Sequence, residues 1–162
     1  MQAQRVSRGI ALRGLAGVAV GAAFLSAGLF TSAPPADASA KRAARSVEVF
    51  LSNLTRCDLL LVTARLDHGE WTTEPPRLIL FGDEGRWESE SNGVATGTEG
   101  EADYITQSCR DANFNTKRIH FHWDNPFIGS NSYDTAGTDG AFHSRIVGGS
   151  GNHAGVSVSF MP

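Results

Sequence analysis

His120 and His122 stand two residues apart in Arg118 to Asp124, where they alternate with Ile119, Phe121 and Trp123. Such alternation marks a half-buried strand, so both imidazoles project from one face, as two zinc ligands would. His68, His143 and His153 are available as third and fourth ligands, but spacing does not place them near the pair. The competing reading, polar positions opposite a hydrophobic face, requires no metal, and none is expected. A second concentration of chemistry lies between Asp83 and Asp103, where Asp83, Glu84, Glu88, Glu90, Glu99, Glu101 and Asp103 are opposed only by Arg86. Paired carboxylates can hydrolyse glycosides or hold calcium, but neither a calcium-loop spacing nor a partner pattern accompanies these acids. The acids therefore read as a solvated surface. No nucleophile elbow, phosphate loop or HExxH helix occurs, so no catalytic residue is assigned and neither enzyme activity nor a cofactor is expected.

The aromatic residues carry more information. Trp71 falls in the turn-like run His68 to Pro76, while Phe127 and Tyr133 follow Trp123 through Asp124-Asn125-Pro126 and Gly129-Ser130-Asn131. Aromatics in loops suit a membrane interface, where one ring edge is apolar and the other wet. They can also stack on a sugar or enclose a choline cation. Trp87 and Trp123 lie within strand-like runs, where a core position is the alternative to a contact role.

The chain that must position these residues has 162 amino acids, 14 of them basic and 17 acidic. Residues 1–40 hold Arg5, Arg8, Arg13 and a single acid, Asp37, around an uncharged run from Gly14 to Ala36 that ends near Ala38-Ser39-Ala40. Basic, apolar and small-residue regions in that order predict a secretory signal peptide over 1–40, cleaved after Ala40 or, second, after Ala38. An uncleaved anchor is the alternative, because about 20 apolar residues can span a bilayer. Four glycines dilute this run. Removing 1–40 leaves 122 residues with 11 basic and 16 acidic side chains (14 less 3, 17 less 1), a net charge of −5. Residues 41–162 are one domain by size. Their only lysines are Lys41 and Lys117, which disfavours nucleic acid as a partner. In an oxidising, extracellular medium Cys57 and Cys109 are expected to pair, closing a loop worth roughly 4 kcal/mol. Two separate buried thiols are the alternative.

Period-two stretches recur along 41–162. Val47, Val49 and Leu51 share one face of Ser46 to Asn53, and Val156, Val158 and Phe160 alternate with Ser157 and Ser159. Further strands are expected over Leu59 to Leu66, Arg77 to Phe81, Arg86 to Ser91, Ala102 to Gln107, Ser130 to Thr135 and Phe142 to Val147, separated by Gly, Asp and Asn turns. About nine short strands in some 120 residues make an all-β, antiparallel β-sandwich. Lys41 to Arg45 reads as a free tail.

Gly93-Val94-Ala95-Thr96-Gly97-Thr98-Glu99-Gly100, followed by His120-Phe121-His122-Trp123-Asp124-Asn125-Pro126-Phe127 and Gly129-Ser130-Asn131, resembles the aegerolysins. These are small acidic β-sandwich proteins of fungi and bacteria, related in fold to actinoporin-type cytolysins, and bacterial crystal toxins resemble this chain as well. The similarity runs from Val47 to Met161, with His122 and Phe127 standing where the family run tends to have Tyr and Trp. It implies a secreted, noncatalytic protein that recognises a membrane lipid, often a sphingolipid or another zwitterionic head group. In some members it implies pore formation with a larger perforin-like protein partner. The expected contact region is Trp71, Trp123, Asp124, Phe127, Ser130 and Tyr133. A net charge of −5 agrees with this, because anionic bilayers recruit clusters of Lys and Arg. The reading from another class is a carbohydrate-binding or cell-surface adhesion module that uses the same aromatics.

Overall fold

Alternating apolar residues in the computed structural model, which describes residues 43–162, build two five-stranded sheets packed face to face. The strands are β1 (Ser46–Asn53), β2 (Asp58–His68), β3 (Glu70–Thr73), β4 (Leu78–Ile79), β5 (Glu84–Glu90), β6 (Thr98–Gln107), β7 (Arg118–Asn125), β8 (Ser132–Asp134), β9 (His143–Gly148) and β10 (His153–Met161). One sheet has the order β3-β5-β1-β10-β9 and the other β4-β2-β6-β7-β8. The sandwich expected from the sequence is present. It has ten strands among the described residues, and its pairing is antiparallel except between β1 and β10. Those two run parallel, with Val47, Val49 and Leu51 beside Ala154, Val156 and Val158, all facing the opposing sheet and buried.

The extra strand is β3, within the segment read as a turn from His68 to Pro76. Gly69, at φ 96°, reverses the chain, and Glu70–Thr73 adds to the edge of β5 with Trp71 opposite Ser89. The strand has one apolar residue and a bulge after it, so it leaves almost no periodic trace. In the opposite direction, the strand expected over Arg77 to Phe81 contracts to Leu78–Ile79, one residue after Pro75-Pro76.

Trp123 occupies the middle of the core and is fully buried, which removes it from the contact region expected of it. Its ring meets Trp71 edge-on at 5.7 Å, Trp87 at 6.0 Å and Phe121 at 6.1 Å, and its indole N–H donates to Ser89 Oγ at 3.0 Å. The neighbouring strand accommodates it by having Gly100 beneath, where a Cβ would lie 2.8 Å from Trp123 Cζ2 and 2.6 Å from Arg65 O. Cys57 and Cys109 form a disulfide across 52 residues, joining the start of β2 to the segment after β6 at the far end from the loops described below.

The run of acids on β6 is placed by the same alternation, with Glu99, Glu101 and Asp103 on the outer face. Glu101 is bound by Arg65 of β2, and Asp103 by Arg118 Nε and Nη2 at 2.7 and 2.8 Å. His120 is buried beneath this group rather than solvated, with Nδ1 2.8 Å from Asp103 Oδ1 and its backbone N–H donating to Thr138 Oγ1. Burial by itself pushes the Asp103 carboxyl up, but hydrogen bonds from Arg118 and His120, together with their charges, hold it below its ordinary value. A carboxyl lowered by folding stabilises above its unfolded range, and that stability disappears as pH falls through the folded value. Arg118→Ala should therefore cost about 1–2 kcal/mol in urea unfolding at pH 7, a figure discounted for the half-exposed guanidinium, and progressively less toward acid pH. An equal cost at pH 7 and at low pH counts against the pairing as its cause.

Candidate functional site

One end of the sandwich collects the turn at Gly69, the β5–β6 loop (91–97), the β7–β8 loop (126–131) and the β9–β10 loop (149–152). Residues 43–45 enter β1 at this end. Two close approaches shape it. Gly97 lies so near the start of the β7–β8 loop that a Cβ would sit 2.6 Å from Asn125 O and 2.8 Å from Pro126 Cα. Asn125, fully buried, donates its side-chain amide to Ser46 O at 3.0 Å and Asn152 O at 3.1 Å, which ties the end of β7 to the facing sheet.

The segment Lys41 to Arg45 is not free where it is described. Arg45 Nε donates to Pro126 O at 2.9 Å, Nη2 donates to Phe127 O, and the guanidinium lies 5.2 Å from the Phe127 ring centre. Its backbone N–H donates to Ser91 Oγ and its carbonyl accepts from Ser91 N. A single arginine thus braces both the 91–97 and the 126–131 loops. Lys41 lies outside the described residues.

The braced loops carry apolar side chains into solvent. Val94 is 87% exposed, Ile128 86% and Phe127 38%. On one side of this ridge is an opening of about 570 Å³ bounded by Ala43, Ala44, Val94 and Phe127. On another is one of about 540 Å³ bounded by His68, Glu99, Asp124, Phe127 and Ile128. Here Glu99 lies between two imidazoles, 3.3 Å from His122 Nε2 and 3.8 Å from His68 Nε2, and His122 Nδ1 is 3.2 Å from Asp134 Oδ2. Burial, then the charge of Glu99, pushes the Asp124 carboxyl up, with His122 and His68 pulling the other way. A third opening, of about 440 Å³, is bounded by Arg45, Ser130, Asn131, Tyr133 and the Gly149–Asn152 turn.

Of the residues expected to form the contact region, Asp124, Phe127, Ser130 and Tyr133 converge on this end, divided between two openings by the 126–131 loop. Tyr133 is half-buried, stacked on Phe121 at 6.4 Å, with its hydroxyl donating to Gly149 O at 2.8 Å. Trp71 is half-buried and faces a different opening, a groove of about 430 Å³ between the sheet edges beside Leu61 and Ala64. His120 and His122 share a face but contact different acids, and among the described residues no group of His, Cys, Asp and Glu is arranged to hold a metal ion. Val94, Ile128, Arg45 and Glu99 lie at this end outside the contact region expected from the sequence. A usable signal existed for the first two, because each is a branched apolar residue inside a Gly-, Pro- or Asn-rich turn with no strand face to bury it.

Residues 83–160 match the aegerolysin family. The resemblance read from the sequence holds for this stretch, which begins well after Val47 and contains all three loops of the site that follow β5. Two solved structures share the fold. The lipid binding protein Nakanori aligns at a TM-score of 0.59 and 15% identity, covering 72% of this chain and 71% of that one. RahU protein, in complex with a TRIS molecule, aligns at 0.55 and 17%, covering 73% and 93%. Identities this low speak for the aegerolysin-like fold alone. No curated protein gives a significant match.

Asp124 offers a direct check on the electrostatics of the site. A carboxyl raised by folding stabilises only below its unfolded value, and that contribution is lost as pH rises through the folded one. Asp124→Asn should therefore raise the thermal midpoint at pH 7, with a gain that shrinks as pH falls toward about 4. A midpoint that falls at pH 7 contradicts the assignment.

Proposed function

We propose that the chain is an exported, noncatalytic protein that binds a zwitterionic membrane lipid through the loop end of its sandwich. The observation that carries this reading is the exposed ridge of Val94, Phe127 and Ile128 beside the Glu99–Asp124 opening. Apolar side chains raised on loops enter the acyl boundary, each contributing about 1.5–3 kcal/mol when fully buried. Next to them, carboxylates favour a cationic head-group moiety and disfavour an anionic surface. Asp124, Phe127, Ser130 and Tyr133 remain in the proposed contact set, joined by Val94 and Ile128, whereas Trp71 props the core from the sheet edge. The likeness in fold to a protein described as lipid binding supports the same reading, as does the aegerolysin match.

Export through a signal peptide over 1–40 and a single domain over 41–162 belong to this proposal. The cleavage site lies outside the described residues, and the Cys57–Cys109 disulfide supports an oxidising destination. Among the described residues no helix is long and apolar enough to cross a membrane. Lysis would then proceed by assembly, by refolding, or with a larger perforin-like partner. The adhesion reading loses ground because Trp87 and Trp123 are buried and Trp71 stands edge-on to Trp123, leaving no fully exposed indole among the described residues to stack on a sugar.

Two measurements test the proposal. N-terminal sequencing of protein collected from the medium of the expressing cells should begin at Lys41 or at Ser39; a chain retained in the membrane fraction with residue 1 intact refutes export. In pelleting assays with vesicles of phosphatidylcholine, phosphatidylethanolamine or sphingomyelin, the protein should sediment with at least one. The Val94→Asp/Ile128→Asp double variant should then lose binding at least tenfold with an unchanged circular dichroism spectrum. Folded protein that sediments with none of the three overturns the lipid reading, and a glycan array that binds it moves the adhesion module to first place.

A further inference from the structure

Arg45 is a partly buried cation without an anionic partner. Among the described residues no carboxylate lies within ion-pair distance of it, although charges removed from water are ordinarily paired. Its hydrogen bonds go to three backbone carbonyls, Nε to Pro126, Nη1 to Ala44 and Nη2 to Phe127. A guanidinium has five N–H groups, so two are uncommitted, one on each terminal nitrogen. Arg45 borders an opening whose boundary contains neither Asp nor Glu. The groups that do bound it include the hydroxyls of Ser130 and Ser150. Its floor is the turn Gly148 to Asn152, with left-handed backbone at Gly148, Gly149 and Gly151. From Gly149 through Ser150 to Gly151 the sign of φ alternates, as in anion-binding backbone concavities, and the carbonyls of Gly149 and Gly151 are already taken by Asn131 and Tyr133. The amides of Ser150, Gly151 and Asn152 make no backbone hydrogen bond, whereas that of Gly149 is committed to Gly155 O at 2.8 Å.

We infer that this opening is an oxyanion subsite, in which the Arg45 guanidinium and the Ser150–Asn152 turn bind a phosphate group. The carboxylate opening with Glu99 and Asp124 lies on the other side of the 126–131 loop, so the end of the molecule has opposite polarity on the two flanks of its apolar ridge. Where the phosphate belongs to a lipid, the inference rests on the lipid reading and assigns the phosphate to one flank and the amine to the other. The subsite itself requires only the chemistry of a phosphate, lipid-borne or free.

The test follows the Arg45 Nε–H signal and the amide signals of Gly149 to Asn152 by nitrogen-15 NMR on the folded protein. It titrates inorganic phosphate, phosphoethanolamine, and vesicles of phosphatidylethanolamine or sphingomyelin. Ser150 is exposed and makes none of the braces on the 126–131 loop, so Ser150→Asp adds a negative charge to the boundary of the same opening and removes none of the hydrogen bonds that hold Arg45. Saturable shifts confined to these signals are expected with the soluble phosphates. Ser150→Asp should weaken them at least tenfold and Ser150→Ala by less than about threefold. Vesicle binding that weakens in parallel identifies a lipid phosphate as the ligand. Phosphate binding without vesicle binding keeps the subsite, makes free phosphate its ligand and removes the lipid reading. Vesicle binding indifferent to Ser150→Asp, with no shift from soluble phosphate, removes the subsite and leaves the lipid reading standing. Silence in every arm removes both.

Discussion

The packing of Trp123 over Gly100 is the constraint on which the loop end of this protein depends. An indole fully buried between the sheets, hydrogen-bonded to Ser89 and touching Trp71, Trp87 and Phe121, admits one register for β7 against β6. A slip of one residue would put Asp124 in the core and Trp123 in water. With the register fixed, Asp124 must face outward next to Glu99, and Asn125 must turn inward, where its amide grips the carbonyls of Ser46 and Asn152. The chain then leaves the sheet at Pro126 with its direction already set, and Phe127 and Ile128 are carried into solvent. The loop end is therefore positioned by the buried residues Trp123, Gly100 and Asn125 rather than by its own exposed side chains.

Charge is organised on the same scaffold. The outer face of β6 alternates with its core face, so three acids project in a row, and β2 and β7 supply what each meets: Arg65 for Glu101, Arg118 and His120 for Asp103, and His68 and His122 for Glu99. Toward the disulfide end the partners are arginines and the neutralisation is firm. Toward the loop end they are the imidazoles of His68 and His122. Glu99 and the neighbouring Asp124 thus stand beside the apolar ridge with neither paired to an arginine or lysine among the described residues.

How much of this could be read from the sequence varies with the local signal. β1 was legible to the residue, because Val47, Val49 and Leu51 are buried and alternate with residues of the outer face. The disulfide was legible because the chain has only two cysteines. β3 was not, since an edge strand with a single apolar residue looks like the turn that precedes it. The parallel pairing of β1 with β10 was also invisible, because alternation reports which face is buried and says nothing of strand direction. Trp123 and Phe127 are four residues apart in one aromatic run, yet one is core and the other surface. Only the end of β7 separates them, and a strand end is poorly marked when Asn125 is a buried polar residue. Arg45 looked like tail because its partners are backbone carbonyls more than eighty residues away, which have no signature in composition.

The parallel contact between β1 and β10 has a consequence for when the protein can become itself. Ser46 pairs with His153 and Asn53 with Phe160, so the first and last strands of the described domain are neighbours at the middle of one sheet. Until the final strand is synthesised, β1 has a bare inner edge and β9 has no strand to join. Contacts this distant in sequence are slow to form. The sheet therefore closes last at its centre, where β10 joins β1 on one side and β9 on the other.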